Sequence, residues 1–125
     1  GLPAAITPQR VASPGRGAGI FVTAEYETAV AGFTAHGKKG LPADKVADAA
    51  CADLLAFHRA SGAVDPHLAD QILLPLALAD GESVYTVTAV TRHLLTNAEV
   101  IGRFLPVTIS ITGAEGQPGT VTLSP

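Results

Sequence analysis

The chain contains no tryptophan, no methionine, one cysteine and only six other aromatic residues, four Phe and two Tyr. Each shortage excludes something. A lone Cys51 rules out an intramolecular disulfide and any cysteine-pair zinc or redox motif, and inside a helical stretch it is expected to be a small buried apolar residue. With so few large rings, the core has to be assembled from Ala, Val and Leu, and alanine alone accounts for 22 of the 125 residues. The absence of methionine leads to the expectation that Gly1 is not a translation start and that the chain is a cut or engineered fragment. No signal peptide, transit peptide or membrane-length apolar run is present, so the default expectation is cytoplasmic. Charge is sparse too, at 15% of residues and a net value of −3. The basic residues are scattered singly apart from Lys38-Lys39, which is not a nucleic-acid footprint. Any nucleic-acid partner would have to be held by local charge around Arg92 and Arg103 or by parts of a longer protein.

What is present fits one domain over residues 1–125, long enough to bury roughly two-thirds of its unfolded surface. Ala4 to Val11 is a possible short strand, weakened by Pro8. Ser13-Pro-Gly-Arg-Gly-Ala-Gly19 has three alternate glycines, but β-like residues follow and the spacing matches neither phosphate-loop motif, so a turn is expected. Ile20 to Tyr26 and Ala29 to His36 read as antiparallel strands joined at Glu27-Thr28. Gly37 to Gly40 is a turn, and Pro42 opens a helix to about Ala60 with Val46, Ala50, Leu54 and Phe57 on its buried face. Ser61-Gly62 closes it. Val107 to Ile111 and Gly119 to Leu123 form a final hairpin. The sum is an α+β two-layer sandwich, helices on a mixed or antiparallel sheet, with blocks at 1–62, 63–106 and 107–125.

The middle block is the most informative. Asp65 is a candidate N-cap, Pro66 a first helical residue, and Asp80-Gly81 a stop, which predicts a helix between them. From Ile72 to Ala79 it is apolar all round and is expected to be buried. Pro75 has no N–H for the Gln71 carbonyl, so a bend is predicted there, beside the polar pair Asp70-Gln71. Ser83 to Thr91 alternates as a strand, with Tyr85, Val87 and Ala89 on one face. Thr96-x-x-Glu99 reads as a capping box, placing a helix start near Asn97 and its end at Pro106. His93 then lies between a strand end and a helix N-terminus, where free N–H groups and the dipole favour a phosphate.

Taken alone, such a histidine is more often structural than catalytic. No C-x-x-C or H-x-x-x-H spacing exists, and His67-x-x-Asp70, though one turn apart, is too common to point to a metal. His36 and His58 read as surface or satisfied groups, and no serine sits in a nucleophile elbow. The words HLADQILLPLALADG and HLLTNAEVIGRFLP, however, resemble the C-terminal part of RNA 3'-terminal phosphate cyclase in spelling and spacing. Looser likenesses occur at Ser13-Pro14-Gly15-Arg16-Gly17, at Gly37-Lys38-Lys39-Gly40 and at Pro42-Ala43. Cyclases are several-fold longer, so the resemblance implies roughly the last third of such an enzyme, without its N-terminal half.

The resemblance also implies a mechanism. A histidine, here His93, attacks the α-phosphorus of ATP to form a covalent histidine-AMP. The adenylate passes to an RNA 3'-phosphate, and the adjacent 2'-OH closes a 2',3'-cyclic phosphate. His67, Leu68, Ala69, Asp70 and Gln71 match the segment that contacts the nucleotide. A divalent metal, Mg or Mn, is expected with the phosphates. The implied partners are RNA with a 3'-phosphate end, ATP and the missing N-terminal part, and the implied fold is a repeat similar to the C-terminal domain of translation initiation factor 3. Two other readings stay open: a non-catalytic cyclase-like ribosome-assembly protein, which would lack the nucleophile, and a self-associating structural module.

Overall fold

The computed structural model describes residues 3–125. They fall into two compact units divided between Leu54 and Leu55, within a long helix.

The first unit is a two-stranded antiparallel ribbon followed by the start of that helix. Strands β1 (Gly19–Glu25) and β2 (Val30–His36) pair in the register Gly19↔His36 to Glu25↔Val30, closed by a turn in which the Tyr26 N–H donates to the Ala29 carbonyl at 2.8 Å. Alternation decides the faces: Ile20, Val22 and Ala24 are partly covered, whereas Phe21 is exposed. Helix α1 (Ala43–Arg59) starts after Pro42, and its buried residues Val46 and Ala50 begin the stripe that continues through the half-buried Leu54 and Phe57. Cys51 is exposed, contrary to expectation. It follows Ala50 by one residue, about 100° around the helix and off the covered stripe. The strand anticipated at Ala4 to Val11 does not form either; residues 3–18 are irregular and exposed, with Pro3 and Pro8 removing ladder donors.

The second unit is the two-layer α+β sandwich. Its sheet has the order β3-β5-β4, all antiparallel, from β3 (Ser83–Val87), β4 (Thr108–Thr112) and β5 (Gly119–Ser124). Helices α2 (Leu68–Gln71), α3 (Leu73–Ala77) and α4 (Arg92–Phe104) supply the other layer. Between the layers lie Ala69 and Leu73 from α2 and α3, Leu94 from α4, Val90 from the approach to α4, and Val87, Val121 and Leu123 from the sheet. All seven are at most 1% exposed, and four of them are Ala or Val and three are Leu, as a chain poor in aromatics requires. Among the described residues no helix is long and apolar enough to cross a membrane.

The segment after α1 makes the sheet mixed at one edge. The Val64 N–H donates to the Thr86 carbonyl at 3.0 Å, and the Thr88 N–H returns to the Val64 carbonyl at 2.9 Å, a parallel bridge alongside β3. This close approach demands Gly62, because a Cβ there would lie 2.6 Å from the Thr88 nitrogen and 2.6 Å from the Val87 carbonyl carbon.

The helix anticipated between Pro66 and Ala79 is broken. It is divided at Ile72 into α2 and α3, with Pro75 in the first turn of the second piece. The missing Pro75 donor leaves the Gln71 carbonyl outside the ladder, while the Leu76 N–H bonds the Ile72 carbonyl at 3.0 Å and starts a new turn. Nor is this stretch buried all round, since Leu74 and Leu78 are exposed at 51% and 67%.

Two glycine substitutions should move stability in opposite directions. Gly62→Ala should destabilise by about 1–3 kcal/mol, because the added methyl runs into the Val87–Thr88 backbone. Gly102→Ala, in α4 with nothing nearer than the Val107 carbonyl oxygen at 3.9 Å, should stabilise by about 0.5–1 kcal/mol. Urea unfolding of the two variants against the parent checks both signs.

Candidate active site

The position of His93 is decided three residues earlier. The Val90 N–H donates to the Gln117 carbonyl and the Val90 carbonyl accepts from the Gly116 N–H, both at 2.8 Å, so the β4–β5 loop grips the chain just before α4. Gly119 makes this possible, since a Cβ there would come within 2.6 Å of the Val90 side chain and 2.2 Å of the Thr112 carbonyl oxygen. Thr91 is then extended (φ −102°, ψ 159°), and its hydroxyl accepts from the Leu94 N–H at 3.1 Å, which makes it the N-cap. Leu94 anchors the first turn in the core.

This corrects the sequence reading at two points. Strand β3 stops at Val87, the chain bends at Thr88 and Ala89, and the helix begins at Arg92. The Thr96-x-x-Glu99 capping box does not form. Thr96 and Glu99 sit inside α4, where Glu99 pairs with Arg103 one turn on. His93 is therefore the second residue of the helix, not part of a loop before it. Helix geometry leaves the Arg92 and His93 N–H groups without intrahelical carbonyls. Both side chains are exposed. Arg92 lies 3.6 Å from Glu115, a solvent-exposed pair worth little to stability.

The other candidate residues come from α2. Asp65 does cap, its Oδ1 accepting from the His67 and Leu68 N–H groups at 2.8 and 3.1 Å. Ala69 is fully buried, Asp70 is half-buried, and His67, Leu68 and Gln71 are exposed. The structure brings Asp70 to the His93 helix, where its Oδ2 accepts from the Asn97 side-chain amide at 3.0 Å. Asn97 stands four residues after His93 and so shares its stripe of the helix surface. From the sheet side, the Tyr85 hydroxyl donates to the Ala69 carbonyl at 2.8 Å. Burial, and secondarily the charge of Asp70, pushes the Tyr85 phenol up to about 12.

Thr91, Tyr85 and Asn97 were not foreseen as site residues. Asn97 had the clearest signal: a polar residue of poor helix propensity, one turn beyond the histidine and between the buried Leu94 and the partly buried Ile101.

The arrangement offers an imidazole at a helix N-terminus, accessible to solvent and, among the described residues, without a hydrogen-bond or ion-pair partner. Such a group can act as a nucleophile toward phosphorus, with the free N–H groups and the helix dipole favouring the phosphate. Among the described residues no cluster of three or more His, Cys, Asp or Glu is placed to hold a metal ion. A shallow hollow of about 310 Å³ lies elsewhere, among Leu76, Leu78, Asp80, Leu105, Val107 and Leu123.

Comparison with known proteins gives this geometry a context. The family model for RNA 3'-terminal phosphate cyclase matches residues 4–111, which include α2, Asn97 and His93. The chain belongs to that family. It is 46% identical over 123 residues to an RNA 3'-terminal phosphate cyclase of Methylococcus capsulatus, covering 98% of this chain and 34% of that protein. A cyclase of Nostoc punctiforme is 52% identical over 99 residues, covering 79% of this chain and 28% of the relative. One from Methanopyrus kandleri is 47% identical over 112 residues, covering 89% and 32%. The chain thus spans about a third of the length of the curated cyclases it matches.

The raised Tyr85 phenol has a consequence for stability. A phenol that ionises at about 12 in the folded chain and near 10 when unfolded favours folding fully below pH 10, and the contribution is lost as pH rises from 10 through 12. The stability difference between the parent and Tyr85→Phe should therefore be constant up to pH 9 and shrink above pH 10, as read by denaturant unfolding of both chains at each pH.

Proposed function

We propose that this chain is the C-terminal part of an ATP-dependent RNA 3'-terminal phosphate cyclase, with His93 as the nucleophile that carries AMP. The observation behind this reading is the exposed imidazole in the first turn of α4, on the same helix that binds Asp70 of the 67–71 segment. In the proposed first step an unprotonated ring nitrogen of His93 attacks the α-phosphorus of ATP. A P–N bond forms, the bond from the α-phosphorus to the bridging oxygen breaks, and pyrophosphate leaves. The AMP then moves to the 3'-phosphate of an RNA, breaking the P–N bond and returning the imidazole. Attack by the neighbouring 2'-OH on the activated phosphate closes the 2',3'-cyclic phosphate and releases AMP.

His67, Leu68, Ala69, Asp70 and Gln71 are assigned to holding the nucleotide. The buried Ala69 contributes through the backbone it fixes, whereas His67, Leu68 and Gln71 present exposed side chains. A divalent Mg or Mn ion would arrive with the nucleotide phosphates and offset their charge. This chain's own contribution near the phosphates is the N–H groups of Arg92 and His93 and the Arg92 guanidinium. Those are few charges for a triphosphate and an RNA end. The rest of the site is assigned to the N-terminal part of the enzyme, so the isolated chain is expected to be close to inactive.

A second reading has its own support. Phe104 is 82% exposed, and Leu74, Leu78 and Val100 are also uncovered, a surface suited to self-association. Sedimentation velocity over a wide concentration range should show reversible growth, and a monomer throughout would count against it.

For the cyclase reading, the chain is incubated with ATP and Mg or Mn, with and without the N-terminal part of a related cyclase, and examined by intact mass. The expected result is an acid-labile AMP adduct, strongest when the N-terminal part is present and absent from His93→Ala. Continued lack of an adduct on a folded, complete assembly would sink His93 as the nucleophile.

A further inference from the structure

Helix α2 is only four residues long, and Pro75 prevents it from running on into α3, so helical continuity cannot fix its position. Two side chains from elsewhere do so instead. Tyr85 reaches from β3 to the Ala69 carbonyl, and Asn97 reaches from α4 to the Asp70 carboxylate, across 27 residues of sequence. The second contact joins the 67–71 segment to the helix that carries His93, one turn away. Nothing about α4 itself calls for an asparagine there, because its helix propensity is poorer than that of Leu or Ala by several tenths of a kcal/mol.

We propose that Asn97 is a positioning residue: its amide ties Asp70 to α4, so that the 67–71 segment and His93 are held as one rigid pair of elements. The tie rests on the cyclase reading for its purpose. Transfer to His93 requires the α-phosphorus in line with the imidazole, and a misplacement of about 1 Å costs on the order of 100-fold in rate. A carboxylate accepting from a neutral amide also gives the tie a polarity that can be reversed. Asp70→Asn with Asn97→Asp exchanges donor and acceptor while keeping size nearly constant.

The test compares the parent, Asn97→Ala and the reversed pair Asp70→Asn/Asn97→Asp by residue-resolved amide hydrogen exchange. Ala69 and Ile72, whose N–H groups bond the Asp65 and Leu68 carbonyls, report on α2, and the β5 amides of Thr120 to Leu123 report on the fold as a whole. In Asn97→Ala, exchange at Ala69 and Ile72 should accelerate about tenfold or more while β5 changes less than twofold, and the reversed pair should restore protection. Equal acceleration everywhere, no acceleration at α2, or failure of the reversed pair to recover would each overturn the tie. The rate of AMP transfer to His93, measured on the same chains with the N-terminal part supplied, should fall in Asn97→Ala. An unchanged rate would overturn the positioning role. A parent that takes no AMP while showing the expected exchange pattern would count against the cyclase reading and leave the tie standing.

Discussion

The second unit depends on how the β4–β5 loop holds Val90. Two backbone hydrogen bonds, from the Val90 N–H to Gln117 and from Gly116 to the Val90 carbonyl, fix this residue where β3 has ended and before α4 begins. With the Val90 side chain in the core, Thr91 has to leave in an extended conformation, and its hydroxyl then meets the Leu94 N–H. The helix start, the burial of Leu94 and the exposure of His93 follow in sequence. A loop at residues 113–118, 23 to 28 residues beyond Val90, thus sets where the imidazole stands. The tight contact at Gly119 explains why this arrangement tolerates no side chain there.

A second constraint acts on the other candidate segment. Pro75 breaks the helical ladder, so α2 is positioned by tertiary contacts and not by propagation from a longer helix. Its apolar side is seated by Ala69, and its polar ends face outward or toward α4. The sandwich therefore presents two short polar elements side by side, each anchored by one small or branched residue in the core. Rigid scaffolding below and exposed groups above is how folds generally combine stability with chemistry.

Much of this was legible in the sequence. The β1–β2 ribbon, α1 and the β4–β5 hairpin follow from alternation and apolar spacing, because local periodicity and burial agree there. Asp65 was recognised as a cap because its signal is local. The start of α4 was misread because Thr96-x-x-Glu99 carries a stronger capping pattern than Thr91-Arg-His-Leu, and the decisive grip on Val90 comes from a loop that local spelling cannot reveal. The same holds for Cys51 and for Leu74 and Leu78, whose exposure depends on which face of a short element meets the sheet. Tyr85 and Asn97 escaped notice since each acts through one long-range hydrogen bond. The family likeness was carried by the words around His67 to Gln71 and His93, the two stretches that the fold places on adjoining helices.

The claim that these two stretches form one nucleotide surface is tested most directly by titrating the isotopically labelled chain with ATP and following its backbone amide resonances. Shifts concentrated at residues 67–72 and 91–97, fitting one dissociation constant, are the result expected from the geometry. Shifts confined to one of the two stretches, or centred on the β1–β2 ribbon, would contradict it.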